Sequence, residues 1–340
     1  MKVFKYLLFL LLIIVIGLSV YIAVQPNSFE VKRERTINAP NAVIYNNVID
    51  FKNWEAWSSW VEKDSTTKIT LSEKTKGIGG AYSWTDKDGK GAMKTIATTP
   101  YTSIDQELQF GDYEPSKIHW EFSPTPDGNT NVAWKMNSDN VPFMFKAFAL
   151  VSGGFDNMIG PDFERGLEKL DSIVTKSMKV YSIKTEGTTT HSGGFYIYNT
   201  TSCKISDLEN KMQEMLPEVI AYAKKNNISI AGAPFVYYHK WDETNNAVMF
   251  SCCVPTTAQV ITTESDILTG QLEPFKAVKT TLKGDYSNLE EAWDKTMNYI
   301  TKNAFEFSEN GPMLETYITD PTNEPNPANW VTDIYIAIKE

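Results

Sequence analysis

The pattern of hydrophobic and polar positions divides the chain into an apolar start and a longer mixed remainder. The start is an unbroken apolar run from Tyr6 to Val24, about 19 residues or about 28 Å as a helix. Pro26 ends it, and strand-like and helix-like periods of apolar residues follow. Because the run is as long as a bilayer core is thick, we predict a transmembrane anchor over residues 1–26.

A cleaved signal peptide is the alternative for this run. Signal peptides have a shorter apolar stretch and small residues at its exit, whereas the exit here contains Tyr21 and Ile22. We therefore favour an uncleaved anchor. Lys2 and Lys5 precede the run, and basic residues mixed with acids follow it. The positive-inside rule then predicts a single pass with the N-terminus inside and the soluble domains on the outer, periplasmic or extracellular, face.

Residues 29–178 predict a strand, short helices, an antiparallel meander and a long C-terminal helix. Turn residues separate the predicted strands, and Pro161 is expected to open the long helix. Its apolar stripe follows helical spacing and consists of Phe163, Leu167, Leu170, Ile173 and Val174. This order predicts an α+β domain in which a curved sheet wraps one helix and leaves a cavity between them.

Residues 180–340 predict two halves, ββ-α-ββ followed by β-α-ββ, which suggests an architectural repeat. The first predicted helix contains Pro217, which we expect to kink it or to start a new first turn. In the hairpin after it, alternation places Phe235, Tyr237, His239 and Trp241 on one face. Near the end, "GPMLETYITDP" is a strand with turn residues at both borders and a single acid, Glu315.

Composition and charge exclude several classes of function. The 340-residue chain has a net charge of −10 and no long basic run, so we expect no nucleic-acid partner. Three cysteines are too few for a disulfide scaffold, and Cys252 and Cys253 are predicted to be buried thiols. The three histidines are scattered without metal-ligand spacing, so we expect no metal and no other cofactor.

The first domain resembles a known superfamily. The segments "ERTINAPNAVIYNNVIDFKNWEAWSSW", "GIGGAYSW" and "GNTNVAWKM" through "DFERGLEKL" look like the polyketide cyclase/dehydrase and lipid-transport (SRPBCC) superfamily, with the START-like helix-grip fold. The resemblance covers residues 29–178. It implies a hydrophobic cavity, and it says little about chemistry because the superfamily contains binders, transporters and a few enzymes.

The second domain, residues 180–340, resembles the GyrI-like effector-binding domain of AraC-type and MerR-type regulators. The segments that carry the likeness are "AGAPFVYYHKW", "VKTTLKGDYSNLEEAWDKTMNYI" and "LETYITDP" through "NWVTDIYIAI". The resemblance implies a cleft for a small, often cationic or aromatic, ligand with Glu315 as its anionic floor. It implies Tyr237 and Tyr286 as cleft aromatics, with His239 and Trp241 as further candidates. The chain has no helix-turn-helix segment, so DNA binding is not expected.

Three functions remain open from the sequence. The first is a membrane-anchored protein that binds a small molecule, with Glu315 buried among aromatic rings and its pKa raised by desolvation. The second is a hydrolase of reactive electrophiles in which Glu315 acts as general base. The third is a structural component that binds other proteins and no small ligand.

Overall fold

The computed structural model describes residues 2–64, 66–87, 89–263, 266–309 and 311–339. These residues divide into two compact units, Met1–Ser177 and Met178–Glu340. Within them lie an N-terminal apolar helix and two antiparallel sheets with associated helices. The prediction of an α+β fold of this kind is confirmed.

The N-terminal helix, α1 (Lys2–Ala23), consists almost entirely of leucine, isoleucine, valine and other apolar residues. Its stretch Val3–Ala23 has a mean hydropathy of 2.8 and is long enough to cross a membrane. Nearly all of its side chains are exposed, which is typical of a helix that faces lipid and unfavourable for one in water. Length and composition fit a membrane span and also a signal sequence.

The sheet of the first unit has seven strands within the described residues, all paired antiparallel in the order β1-β7-β6-β5-β4-β3-β2. The strands are β1 (Phe29–Ile37), β2 (Lys68–Leu71), β3 (Ala81–Asp86), β4 (Gly89–Thr99), β5 (Ser103–Phe110), β6 (Ser116–Pro124) and β7 (Thr130–Ser138). The helices are α2 (Asn41–Val48), α3 (Trp54–Trp57), α4 (Ser59–Lys63), α5 (Phe143–Ser152) and α6 (Phe155–Met178).

The core of the first unit is built from aromatic side chains of the sheet and of helix α6. Trp134 on β7 stacks on Trp120 of β6 at 4.3 Å and on Phe163 of α6 at 4.0 Å between ring centroids. Leu167 and Leu170 continue the predicted stripe of α6 and are also buried. Burial of this stripe holds the long helix against the sheet. The START-like assignment of this unit stays a prediction.

Two prolines lie inside helices. Helix α6 begins at Phe155, so Pro161 does not open it, and that prediction is wrong. Helix α7 (Leu208–Lys225) continues through Pro217, so Pro217 does not start a new helix, and the kink stays a prediction. An internal proline removes one backbone hydrogen bond, and burial of the helix residues on either side of it outweighs that loss. Helix α5 is a further element that the sequence prediction did not include.

The sheet of the second unit has eight strands within the described residues, in the antiparallel order β12-β9-β11-β10-β14-β15-β13-β8. The strands are β8 (Ser182–His191), β9 (Gly194–Lys204), β10 (Phe235–Asp242), β11 (Ala247–Thr256), β12 (Leu268–Leu272), β13 (Phe275–Lys283), β14 (Met313–Tyr317) and β15 (Val331–Ala337). Helix α8 (Leu289–Lys302) precedes β14, as α7 precedes β10.

A βαββ unit occurs twice in this topology. Strands β9, β10 and β11 with α7 have the spatial order 9-11-10, and β13, β14 and β15 with α8 have the order 13-15-14. The two units meet where β10 pairs with β14, at the middle of the sheet. Helix α7 packs on β9 and β11, and α8 packs on β13, β15 and β8. The helices therefore leave β10 and β14 between them.

Candidate functional site

Glu315 lies at the middle of the second sheet, on the face that carries both helices. It is paired with Val236 of β10 on one side and with Ile334 of β15 on the other. Residues paired across strands share a face, and Val236 and Ile334 belong to the cores under α7 and α8 respectively. The Glu315 side chain therefore points into the space between the two helices.

Two aromatic side chains donate hydrogen bonds to the Glu315 carboxylate. Trp293 Nε1 of α8 donates to Oε1, and the Tyr317 hydroxyl donates to Oε2 at 2.7 Å. The Tyr238 hydroxyl of β10 lies near the same carboxylate and favours its ionised form. These groups cover the carboxylate so completely that Glu315 is only 3% exposed. The expectation of a buried acid among aromatic rings is confirmed.

A second layer of rings surrounds these donors. The Tyr286 ring lies 5.4 Å from Tyr317 and 4.6 Å from Trp330, and the Trp241 ring lies 5.9 Å from Tyr238. Tyr286 and Trp330 are half-buried, whereas Trp241 is 47% exposed. We call Glu315 with Tyr238, Trp293 and Tyr317 the carboxylate site, and Trp241, Tyr286 and Trp330 its outer aromatic ring.

Burial sets the electrostatics of the carboxylate site. Desolvation raises the pKa of Glu315, and the neighbouring Trp293, Tyr317 and Tyr238 oppose that rise without cancelling it. Desolvation together with the nearby Glu315 charge raises the pKa of Tyr238 and Tyr317 well above the usual range. No ion pair to Glu315 occurs among the described residues. Among the residues that the structure describes, the carboxylate therefore has hydrogen-bond donors and no counter-charge.

Two further acids lie near the outer aromatic ring. Desolvation raises the pKa of Tyr286 to about 12, and Asp320, Asp285 and Glu315 each add to that rise electrostatically. Hydrogen bonds from Thr322 hold the pKa of Asp320 below its ordinary value, so Asp320 stays ionised. The surroundings of the carboxylate site thus favour a positive charge.

The family comparison matches this part of the chain. Residues 173–339 match the family model of the GyrI-like small molecule binding domain. Residues 173–339 form a GyrI-like domain. The resemblance noted in the sequence is confirmed by this match, and the site described above lies inside it.

Comparison with solved structures returns proteins similar to parts of the chain. The C-terminal domain of EcmrR is 16% identical, with 47% of this chain and 99% of that chain covered and a TM-score of 0.41. EcmrR in a complex with DNA is 14% identical, with 64% of this chain and 89% of that chain covered and a TM-score of 0.41. An integron cassette protein from the mobile metagenome of Vibrio cholerae is 14% identical, with 46% of this chain and 99% of that chain covered and a TM-score of 0.31. Comparison with curated proteins finds no match.

The GyrI-like domain does not bring all five predicted ligand-binding residues together. Tyr237 is paired with Leu314 and Ser251, and these residues point to the face opposite Glu315. His239 is on that opposite face too, because its Nε2 lies 2.7 Å from the Ser251 hydroxyl. Tyr237 and His239 therefore do not line the carboxylate site. The other three predicted residues, Glu315, Tyr286 and Trp241, lie on the same face.

A β-bulge explains the position of Trp241. The register shifts between Tyr238 and Lys240, so His239 is an extra residue on β10 and the alternation of faces reverses after it. Trp241 is then paired with Val248, which belongs to the core on the Glu315 side. Simple alternation placed Trp241 with Tyr237, and that grouping is wrong because a bulge is not visible in the hydrophobic pattern.

The sequence reasoning missed Tyr238, Trp293 and Trp330 as parts of the site. Trp293 lies at helical spacing from Leu289, Met297 and Ile300, and such spacing predicts core packing and gives no sign of a hydrogen bond to an acid. Strand alternation places Tyr317 on the same face as Glu315, and only the structure shows its hydrogen bond. Long-range pairing between β10, α8 and β14 therefore decides the composition of the site.

Cavities occur elsewhere in each unit. In the first unit a cavity of about 370 Å³ is lined by aromatic and aliphatic side chains, with charged groups among them. Its apolar lining includes Phe51, Trp54, Trp60, Val61, Ile69, Leu71, Tyr82, Trp84, Leu108 and Phe110. In the GyrI-like domain a polar cavity of about 400 Å³ lies between β9 and α7. Glu315 lines neither of the two. No group of three or more potential metal-ligating side chains occurs among the described residues.

Proposed function

We propose that the protein is a membrane-anchored small-molecule-binding protein whose GyrI-like domain takes a lipophilic organic cation, with Glu315 as the counter-charge. The observation that carries this proposal is a fully buried carboxylate with aromatic donors and no cationic partner among the described residues. An ionised acid in such a place is costly, and a cationic ligand would offset that cost.

The surroundings favour a cation whose charge is delocalised over an apolar body. Such a cation is weakly hydrated, so it loses little free energy when it leaves water. The rings of Tyr238, Trp293 and Tyr286 offer flat faces for cation–π contact, worth about 0.5–2 kcal/mol each. Asp285 and Asp320 add negative potential on the Tyr286 side.

Ligand entry requires the rings over Glu315 to move. The carboxylate is 3% exposed, whereas Trp241, Tyr286 and Trp330 of the outer aromatic ring retain exposed surface. These three side chains are therefore the proposed entrance. Because Trp293 donates directly to Glu315, its fluorescence should report a ligand that displaces this hydrogen bond.

The test is a fluorescence titration of the full chain in detergent micelles with tetraphenylphosphonium and with a neutral aromatic of similar size. Glu315→Gln should weaken binding of the cation by about 2 kcal/mol, or about 30-fold, and leave the neutral compound unaffected. Glu290→Gln, which neutralises an exposed acid on α8, is the matched control and should bind as the wild type does.

Equal cation affinity in the wild type and Glu315→Gln would contradict the counter-charge role. Hydrolysis of a strained electrophile that is lost in Glu315→Gln would instead assign Glu315 as a general base. Absence of any small-molecule binding with intact folding would favour the structural role.

For the first unit we propose START-like binding of a hydrophobic ligand in the 370 Å³ cavity, supported by its aromatic lining. Ile69→Trp should fill the cavity and abolish binding of a fluorescent fatty acid. Ile96→Trp, at an exposed position on β4, is the control and should preserve binding. Unchanged binding in Ile69→Trp would rule this cavity out.

For α1 we propose an uncleaved single-pass anchor with both units on the outer face, supported by its exposed apolar side chains. The protein should then resist extraction from membranes by alkaline carbonate. Protease added to spheroplasts should digest both units, and full protection of both would reverse the proposed orientation.

A further inference from the structure

Helix α5 in the first unit exposes an apolar face. Positions that project to one side of a helix lie three or four residues apart, and here that side contains no polar residue. The face consists of Phe143, Met144, Ala147, Phe148 and Val151. Val151 is 89% exposed and Phe148 is 59% exposed. Contiguous exposed apolar side chains of this kind mark an interaction surface.

The single charged residue of α5 points the opposite way. Lys146 is 6% exposed, and its Nζ donates to the backbone oxygens of Gln25 at 2.8 Å and Ala23 at 3.5 Å. It also donates to Asn27 Oδ1. The backbone carbonyls at the end of a helix lack partners within the helix and carry partial negative charge. Lys146 therefore attaches α5 to the last turn of α1.

The buried side of α5 is packed on the sheet of the first unit. The Phe145 ring lies 5.7 Å from Phe110 and 5.5 Å from Tyr113, and Ala149 is buried. Gly153, with a φ of 81°, ends the helix in the left-handed conformation that favours glycine. The apolar face therefore belongs to a helix that is held by contacts on its other side.

We propose that α5 is a second membrane contact, lying in the plane of the bilayer surface beside the point where α1 leaves the hydrocarbon core. This inference rests on the proposed anchoring by α1. Its support is the attachment of α5 to the end of α1 and the outward direction of its apolar side chains. Interfacial helices bury such a face about 5–10 Å into the boundary between headgroups and acyl chains.

Lipid is favoured over a protein partner because of where the face lies. A helix fixed to the last turn of a membrane span is close to the bilayer whenever that span is inserted. Most interfacial helices have a charged side that faces water. In α5 the side opposite the apolar face carries Phe145, Lys146 and Ala149 and packs against the rest of the first unit. The first unit would then be seated on the membrane at two points.

The experiment uses the full chain with Cys203→Ser, reconstituted in phosphatidylcholine vesicles. Single cysteines introduced by Val151→Cys or Phe148→Cys carry an environment-sensitive fluorophore, and Glu107→Cys on β5 is the exposed control. Lipids with a nitroxide near the headgroup should quench positions 151 and 148 at least about threefold more strongly than position 107. Val151 and Phe148 are exposed, so these substitutions remove little packing.

Alkaline carbonate extraction of the same vesicles separates failure of the anchor from failure of this proposal. Extractable protein with quenched labels would contradict the α1 anchor and support the surface helix. Resistant protein with water-exposed, unquenched labels would overturn the surface helix and keep the anchor. A blue-shifted label that nitroxide lipids do not quench would assign the face to a protein contact, including a second copy, and would also overturn the proposal.

Discussion

The two faces of the sheet in the GyrI-like domain carry similar aromatic residues and have different electrostatics. On the helix-covered face, Trp293 and Tyr317 donate to a buried carboxylate that has no cationic partner among the described residues. On the opposite face, Tyr237 packs against His239 at 4.3 Å between ring centroids, and His239 bonds to Ser251.

The two faces differ in how fully their buried charges are compensated. Partial desolvation lowers the pKa of His239, and the buried acid of the same face, Asp333, pairs with Lys279 at 2.9 Å, so the charges of this face are compensated. Glu315 accepts hydrogen bonds and its pKa is still raised, so these bonds do not fully offset the free-energy cost of burying its negative charge. Both faces carry aromatic side chains, and the buried charge without a counter-charge among the described residues is on the Glu315 face. We therefore place the candidate ligand site on the Glu315 face.

The largest effect is expected from moving an acid to the other face. Leu314→Glu places a carboxylate next to Glu315 in sequence, in an apolar core that contains Phe235, Cys253 and Leu272. Without the donors of the carboxylate site it should lower the free energy of unfolding by about 3–5 kcal/mol. Urea denaturation measures this. Leu314→Met, which conserves volume, should lower the free energy of unfolding by less than about 1.5 kcal/mol. A loss below about 1 kcal/mol for Leu314→Glu would show that the two faces do not differ in their tolerance of a buried acid.

A smaller effect is expected from removing one tyrosine hydroxyl from each face. Tyr317→Phe deletes a hydrogen bond to a buried acid and should lower the free energy of unfolding by about 2 kcal/mol. Tyr237→Phe, on the neighbouring strand and the opposite face, should cost less than about 0.5 kcal/mol. Urea denaturation at pH 7 compares the two, and equal losses would show that the faces do not differ.

The charge on Glu315 should also make stability depend on pH. A raised pKa in the folded state means that the folded protein binds the proton more tightly than the unfolded chain does. Stability should therefore be higher below the unfolded pKa of Glu315 and fall as pH rises through the folded pKa. The fall should be about 1.4 kcal/mol for each pH unit that separates the folded pKa from the unfolded pKa. Glu315→Gln should lack this component in urea titrations between pH 4 and 8, and parallel curves for the two proteins would contradict it.

The smallest effect is expected at His239. Its pKa is below the ordinary value of 6.5, so an NMR titration of its ring should have a midpoint below that value. Saturation with a lipophilic cation should leave the midpoint unchanged, because the ligand is proposed to bind on the other side of the sheet. A displaced midpoint on binding would place the ligand on the His239 face.

Helix α5 and the two prolines show where the hydrophobic pattern is insufficient. Amphipathic patterns assume that charged residues face water, and in α5 Lys146 is buried against the end of α1. Proline disfavours helix interiors, and Pro161 and Pro217 nevertheless lie inside helices. Burial of the neighbouring helix residues stabilises the helix at both positions. In each case a contact distant in sequence outweighs a local preference.

By itself, the sequence determined the apolar N-terminal helix, the α+β fold with antiparallel strands and Glu315 as an acid within a strand. These follow from period, composition and turn residues, which act over a few neighbours along the chain. The GyrI-like character of the second unit came from the likeness of three segments to that family, and the family match confirms it. Only the tertiary structure decided what surrounds Glu315, because β10, α8 and β14 meet across long separations in sequence. It also decided that a one-residue bulge places Trp241 on the Glu315 side and leaves His239 on the other.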